Sequence, residues 1–240
     1  YIPVKADFLF FLSSFFFSSF FFSIKEESIL AREKAYKNKC VQVVLLTKGT
    51  YHIKEDILIT YPLSIHGAGQ DNTIIQGNGL KIKGKEKNVE GTEGKKVVLQ
   101  DLTLMQSRGN GLYNDNSDNH GENGLSFLCD SVIFTQCRGS GVCASNTKGR
   151  LINCVITMCG MGGIFSGANA LIELEGSETK VMGNVTGYYN DYYGLTTWDT
   201  SSVIHLLYPL AKESLSTNNR SGQNYGGDGT IQTVPTFESL

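Results

Sequence analysis

Proline is scarce, with four residues in 240, and tryptophan occurs once, as Trp198. An excess of one charge is also lacking, because 21 basic residues face 23 acidic ones for a net charge of −2. A chain so balanced does not hold nucleic acid through bulk positive charge, and no nucleic-acid partner is expected. Phenylalanine is nearly absent outside one stretch: nine of the 13 lie between Phe8 and Phe22, leaving Phe127, Phe134, Phe165 and Phe237 for the rest. Missing as well, beyond Lys39, are amphipathic runs of 10 to 15 residues between the apolar segments. That gap excludes a doubly wound α/β sheet. Glycine is plentiful, at 27 residues, set among Asn, Val, Ile, Leu and Tyr.

Phe8 to Phe22 reads FLFFLSSFFFSSFFF, with Lys5 before it and Lys25-Glu26-Glu27 after it. Three readings fit. It is the apolar region of a secretory signal or anchor, a translated pyrimidine tract foreign to the native chain, or a membrane helix, for which about 20 apolar residues are needed. Membrane contact is expected only if the segment is a genuine anchor. The chain is secreted if the segment is a signal and intracellular otherwise. Residues 1–27 form this low-complexity segment. Over 28–40 a short helix is expected, with Ser28 as N-cap and Ile29, Leu30, Ala35 and Tyr36 on one face. Residues 41–233 form a β domain and 234–240 a tail.

Short β-type runs closed by glycine fill that domain, and three of them align without gaps. Leu102-Thr-Leu-Met-Gln-Ser-Arg-Gly-Asn-Gly-Leu-Tyr113 matches Val132-Ile-Phe-Thr-Gln-Cys-Arg-Gly-Ser-Gly-Val-Cys143, and that matches Cys154-Val-Ile-Thr-Met-Cys-Gly-Met-Gly-Gly-Ile-Phe165. A fainter copy ends at Gly187-Tyr188-Tyr189. The first offset is lengthened by an insertion around Asn114 to Asn123. A unit of about 22 residues holding strands and turns is the mark of a solenoid, whose units bury their apolar residues only against their neighbours. The expected inner ladders are Leu102/Val132/Cys154, Leu104/Phe134/Ile156 and Leu112/Val142/Ile164/Tyr188, with Gly111/Gly141/Gly163/Gly187 at a turn that needs positive φ or close approach. Six to seven coils fit.

From Gly49-Thr-Tyr through Ile65-His-Gly-Ala-Gly to Asn153-Cys-Val-Ile and the Gly-x-Gly-Ile/Val units, the chain resembles the right-handed parallel β-helix of the pectin-lyase-like superfamily. The likeness is nearest to the right-handed β-helix region repeats of algal and protist proteins. It covers about residues 28 to 233 and implies an all-β, single-stranded right-handed parallel β-helix capped by the short N-terminal helix.

Cys137 and Cys159 share one repeat position and Cys154 sits on an inner ladder, so buried thiols are expected, with Cys137 and Cys159 near disulfide range on adjacent coils. Cys154-x4-Cys159 has no matching His pair, and neither a metal nor another cofactor is implied.

Function in a solenoid belongs to an outer face or to inserts between strands. Asn114 to Gly124 gathers Asp115, Asp118, His120 and Glu122, an acid, a base and a cation site for a polysaccharide lyase or C5-epimerase acting on an acidic glycan. Asp118-Asn-His-Gly-Glu122 is similar to the Asp-Pro-His-Asp/Glu motif of mannuronan epimerases, without its proline and with a glycine before the acid. Turn-forming residues explain the same composition. Arg108 and Arg138 share a repeat position and would stack, neutralised by Asp115 or Asp130 or by a uronate or sulfate ligand. Tyr189, Tyr192 and Trp198 cluster late in the solenoid and suit sugar rings. Lys81 to Lys96 reads as a solvated lysine-rich loop. Because no complete catalytic set can be assembled, a non-catalytic module presenting an outer face to a polysaccharide or protein ligand is expected, with the lyase or epimerase as the alternative.

Overall fold

The computed structural model describes residues 42–84, 96–116, 125–187 and 191–235. Through them the chain winds as a parallel β-helix, each coil adding to two sheets of 13 and 7 strands. The first coil is β1 (Gln42–Leu45), β2 (Gly49–His52) and β3 (Ile57–Ile59), and the second is β4 (Leu63–His66), β5 (Thr73–Gln76) and β6 (Leu80–Ile82). In the third and fourth coils the first two strands run together through a bend, as β7 (Val97–Met105) then β8 (Leu112–Asp115), and β9 (Phe127–Thr135) then β10 (Val142–Ser145). The fifth is β11 (Lys148–Ile152), β12 (Val155–Thr157) and β13 (Ile164–Gly167), and the sixth is β14 (Leu171–Glu175), β15 (Lys180–Met182) and β16 (Leu195–Thr197). β17 (Val203–Leu207), a one-turn helix α1 (Lys212–Leu215), β18 (Ser216–Thr217) and β19 (Tyr225–Gly227) make the seventh, and β20 (Thr230–Val234) opens an eighth. The expected segments 1–27 and 28–40 lie outside the described residues. Among those described, no helix is long and apolar enough to cross a membrane.

Strand alternation explains the core. Successive residues point to opposite faces, so the buried and half-buried pattern of β4, β8 and β10 marks which side chains fill the coil. Leu102 pairs with Val132, Leu104 with Phe134 and Phe134 with Ile156, as the repeat requires. In the smaller sheet one inner column runs Ile57, Leu80, Leu112, Val142, Ile164, Leu195 and Tyr225. The fourth rung of the expected ladder is therefore Leu195, and Tyr188 lies outside the described residues. Likewise Gly194 follows Gly163, whereas Gly187 donates its N–H to Gly160 O at 2.8 Å. Extra chain between that turn and β16 displaces the copy. Gly111 and Gly163 serve close approach, because a Cβ would stand 2.7 Å from Gly141 O in the first and 2.6 Å from Gly194 O in the second.

Each coil bends at left-handed residues that also stack. One bend column is Asp101, Ser131, Asn153 and Gly176, with φ of 53°, 55°, 50° and 89°. A second is Gly77, Gln106, Gln136, Met158, Gly183 and Asn218, with φ from 53° to 112°. Immediately after the second bend the chain turns inward at Asn78, Ser107, Cys137, Cys159, Asn184 and Asn219, all buried. Amides in this column satisfy carbonyls that would otherwise be orphaned: Asn78 donates to Ile53 O, Asn184 to Ile156 O and Asn219 to Val181 O. Outside the same bend, Gln76 donates to Gln106 and Gln106 to Gln136 at 2.9 Å, an amide chain parallel to the axis.

Two segment boundaries differ from the sequence reading. Asn114 and Asp115 belong to β8, and the buried Asn114 donates to Leu125 O at 2.7 Å and Thr147 Oγ1 at 3.2 Å. Lys81 and Ile82 belong to β6, because Ile82 fills an inner position next to Asn114.

Candidate functional site

The outer face of the seven-stranded sheet carries the column that alternates with its core. It runs Leu58, Lys81, Tyr113, Cys143, Phe165, Thr196 and Gly226, one residue per coil. Neighbouring rungs are about 4.8 Å apart, so Lys81 to Phe165 spans about 14 Å. Lys81 Nζ lies over the Tyr113 ring, 5.2 Å from its centroid. Tyr113 Oη donates to Asp115 Oδ2 at 2.6 Å. Burial, with the Asp115 charge beside it, pushes the Cys143 thiol up to about 12, so it stays protonated and unreactive at neutral pH.

At the other end Phe165 is the centre of an aromatic cluster. Its ring centroid is 5.9 Å from that of Tyr192 and 5.9 Å from that of Trp198, both tilted. Gly167 makes room for this ring, since a Cβ there would stand 2.9 Å from Phe165 Cε1. Tyr193 continues the surface: its ring lies against Gly226, where a Cβ would be 2.6 Å from Cζ. Trp198 is 54% exposed, so its indole offers a face to solvent while its backbone is held.

That hold comes from Asp199. Its Oδ2 accepts from Ala168 N at 2.7 Å, and its Oδ1 accepts from Ser201 N at 2.9 Å, Ser202 Oγ at 2.9 Å and Ser201 Oγ. Trp198 N itself donates to Ser166 O at 2.8 Å. Burial raises the Asp199 pKa, but the donors from Ser201, Ala168 and Ser202 together outweigh it and bring the group below the ordinary aspartate value of 3.8. A depressed folded pKa means that the ionised knot stabilises the fold at neutral pH, and that this contribution is lost as pH falls below the ordinary aspartate range. Asp199→Asn is expected to lower the fluorescence anisotropy of Trp198 at pH 7. The wild-type chain should converge on the variant only in acid, with a midpoint below 3.8. Equal anisotropies at pH 7 would refute the positioning role of Asp199.

Of the expected ligand-binding residues, Tyr192 and Trp198 come together around Phe165, and Tyr189 lies outside the described residues. Asp115 shares the face through Tyr113. Asp118, His120 and Glu122 lie outside the described residues. Arg108 and Arg138 do stack, since Arg138 N donates to Ser107 O at 2.8 Å and Gly139 N to Gly109 O at 2.8 Å. They stand exposed on the turn entering the sheet, at the opposite end of β8 from Asp115, so these members of the expected set do not converge. Among the described residues neither arginine pairs with Asp115 or Asp130; the ion pair formed is Arg150 with Glu175, at 2.7 Å. Tyr113, Phe165 and Lys81 had been missed as site residues. For Tyr113 and Phe165 the signal was present in the aligned repeats, where Tyr113, Cys143 and Phe165 each follow an inner aliphatic residue and so must face outward.

Among the described residues no group of three or more His, Cys, Asp or Glu side chains could hold a metal ion. In comparisons with known proteins, no family model matches the chain, and no curated protein or solved structure matches it significantly.

Proposed function

We propose that the outer face of the seven-stranded sheet binds polysaccharide without transforming it. The observation that carries this reading is the Phe165, Tyr192 and Trp198 cluster, in line with Tyr113 and Lys81 on the same outer column. Aromatic faces suit the apolar C–H face of a sugar ring, and their tilt lets successive rings meet a twisted chain. Lys81 at one end supplies a positive charge for a carboxylate or sulfate, while Tyr113 and Asp115 offer hydrogen-bonding groups between. The sequence likeness to the pectin-lyase-like superfamily directs the choice of ligand toward uronate polymers. Rigidity favours binding as well, because every residue of the face except Tyr192, Tyr193 and Trp198 stands on a strand of the solenoid.

Trp198 is the only tryptophan, so it reports directly on the site. Titration with alginate or polygalacturonate oligosaccharides is expected to shift its emission, and neutral laminarin oligosaccharides to do so less. Trp198→Ala should weaken retardation in an alginate or polygalacturonate affinity gel by about 30-fold, as for a buried-on-binding aromatic anchor. Its melting temperature should stay within about 2 °C of wild type, because the side chain is half in solvent. No emission change and no retardation with any of the three glycans would refute the reading. Growth of unsaturated-uronate absorbance during incubation would instead establish a lyase.

A further inference from the structure

The outer side of the second bend carries two ladders that the sheet face does not use. Ser107 and Cys137 turn inward there, while their neighbours stay exposed: Gln106 and Gln136 on one flank, Arg108 and Arg138 on the other. Backbone bonds carry the arginine flank onward, since Arg138 N donates to Ser107 O, Gly160 N to Cys137 O, Thr186 N to Cys159 O and Arg220 N to Asn184 O. That column therefore reads Arg108, Arg138, Gly160, Thr186, Arg220. Its middle members are small, and an open groove of about 570 Å³ lies beside them. Gln136 and Met158 line one wall, and Arg138, Gly160, Thr186 and Gly187 the other.

The groove is rich in donors and holds no carboxylate. Arg108 and Arg138 stand one rung apart, about 4.8 Å, and neither guanidinium has a hydrogen bond or ion pair among the described residues. Stacked like charges repel unless an anion lies against them. At the far end Arg220 Nη1 donates to Gly187 O, which brings a further positive charge to the lining. On the opposite wall the glutamine amides all donate in one direction, Gln76 to Gln106 and Gln106 to Gln136. The chain thus ends at Gln136 Nε2, a donor with no partner among the described residues, and each amide behind it polarises the next. Donors from two walls with no acid between them suit an oxyanion. Met158, 47% exposed, adds an apolar surface beside those donors, which matches the C–H groups of a sugar ring.

We propose that this groove is a second binding site, for the carboxylate or sulfate group of an acidic saccharide. Arg138, with Arg108 one rung away, grips the oxyanion, Gln136 Nε2 donates to it from the other wall, and Met158 packs against the ring that carries it. None of the lining residues belongs to the Phe165 cluster, so the site is independent of the sheet face.

The test is nuclear magnetic resonance of the nitrogen-15-labelled full chain at low ionic strength. Four probes are titrated: digalacturonate, a disaccharide bearing one sulfate ester, neutral cellobiose and inorganic sulfate. The Nε–H signals of Arg108 and Arg138 and the side-chain amide of Gln136 should move and saturate with one or both acidic disaccharides, the two arms telling carboxylate from sulfate. Added salt should weaken the binding. Arg138→Gln is expected to weaken it about tenfold, and the double variant with Arg108→Gln about 100-fold. Both arginines are exposed, so these variants should melt within about 2 °C of wild type. Gln136→Met should cost about threefold, and methionine suits the position because Met158 occupies the same column at φ 55° against 54° for Gln136. The shifts should persist in Trp198→Ala; their loss there would show that the groove is no separate site and overturn the proposal. Unmoved arginine signals with both acidic disaccharides, equal shifts with cellobiose, inorganic sulfate held as tightly as the disaccharides, or undiminished affinity in the double arginine variant would overturn it as well.

Discussion

Truncating Phe127 to alanine is expected to cost about 3–5 kcal/mol, and adding a single methyl at Gly149 should then give part of it back. The ring of Phe127 is 2% exposed and projects across the interior onto the next coil, where its partner in register is Gly149. A Cβ on Gly149 would fall inside the van der Waals shell of three atoms of that ring. In the wild-type chain Gly149→Ala therefore overpacks a filled core, at about 1–3 kcal/mol. Against this stands the entropy that alanine removes from the unfolded chain, worth about 0.4–1 kcal/mol, which the clash exceeds. With Phe127→Ala the ring is gone, the clash with it, and Gly149→Ala should change sign and stabilise. Urea unfolding of both single variants and the double variant checks this. A Gly149→Ala effect of the same sign in both backgrounds would disprove the ring-over-glycine account.

Replacing Asn184 with leucine should cost a similar amount, about 3–5 kcal/mol, by leaving several buried groups unpaired at about 1–3 kcal/mol each. Its Nδ2 donates to Ile156 O at 3.0 Å and to Asn219 Oδ1 at 3.1 Å, and its Oδ1 accepts from Cys159 N at 3.1 Å. Asn184 is 1% exposed, so no water replaces these partners. The next residue, Val185, is fully buried at φ 61°, a conformation that a β-branched side chain resists. Asn184 is thus what holds the coil in that bend. Thermal unfolding of Asn184→Leu should show the loss, and a stability within about 1 kcal/mol of wild type would contradict it.

These two residues mark how far a sequence reading reaches. The columns Leu104/Phe134/Ile156 and Leu112/Val142/Ile164 were legible because ungapped repeats transmit register directly, and so was the stacking of Cys137 on Cys159. Leu195 was not, since the chain between Gly187 and Gly194 obscures the period and a nearby Gly-Tyr pair imitates the motif. Asn114 read as the start of an insertion because asparagine favours turns, yet three polar partners inside the coil hold it in β8. The aromatic face was half legible. Tyr192 and Trp198 stood out by composition, whereas Phe165, on which both rest, is singled out only by its place after the inner Ile164 in β13. Arg108 and Arg138 stacked as the repeat demands, but no repeat can say which carboxylate a surface guanidinium will meet.

Every turn of this solenoid closes its own circuit and passes the same pattern of donors and acceptors to the next, as the in-register pairs from β1 to β20 record. Growth by duplication of a whole turn would meet a ready-made seat at either neighbour, whereas a gain or loss of a few residues must be absorbed between strands. Chains built this way can lengthen their working surface in steps of about 4.8 Å without redesigning the interior, so reach is a property that selection can tune by copying.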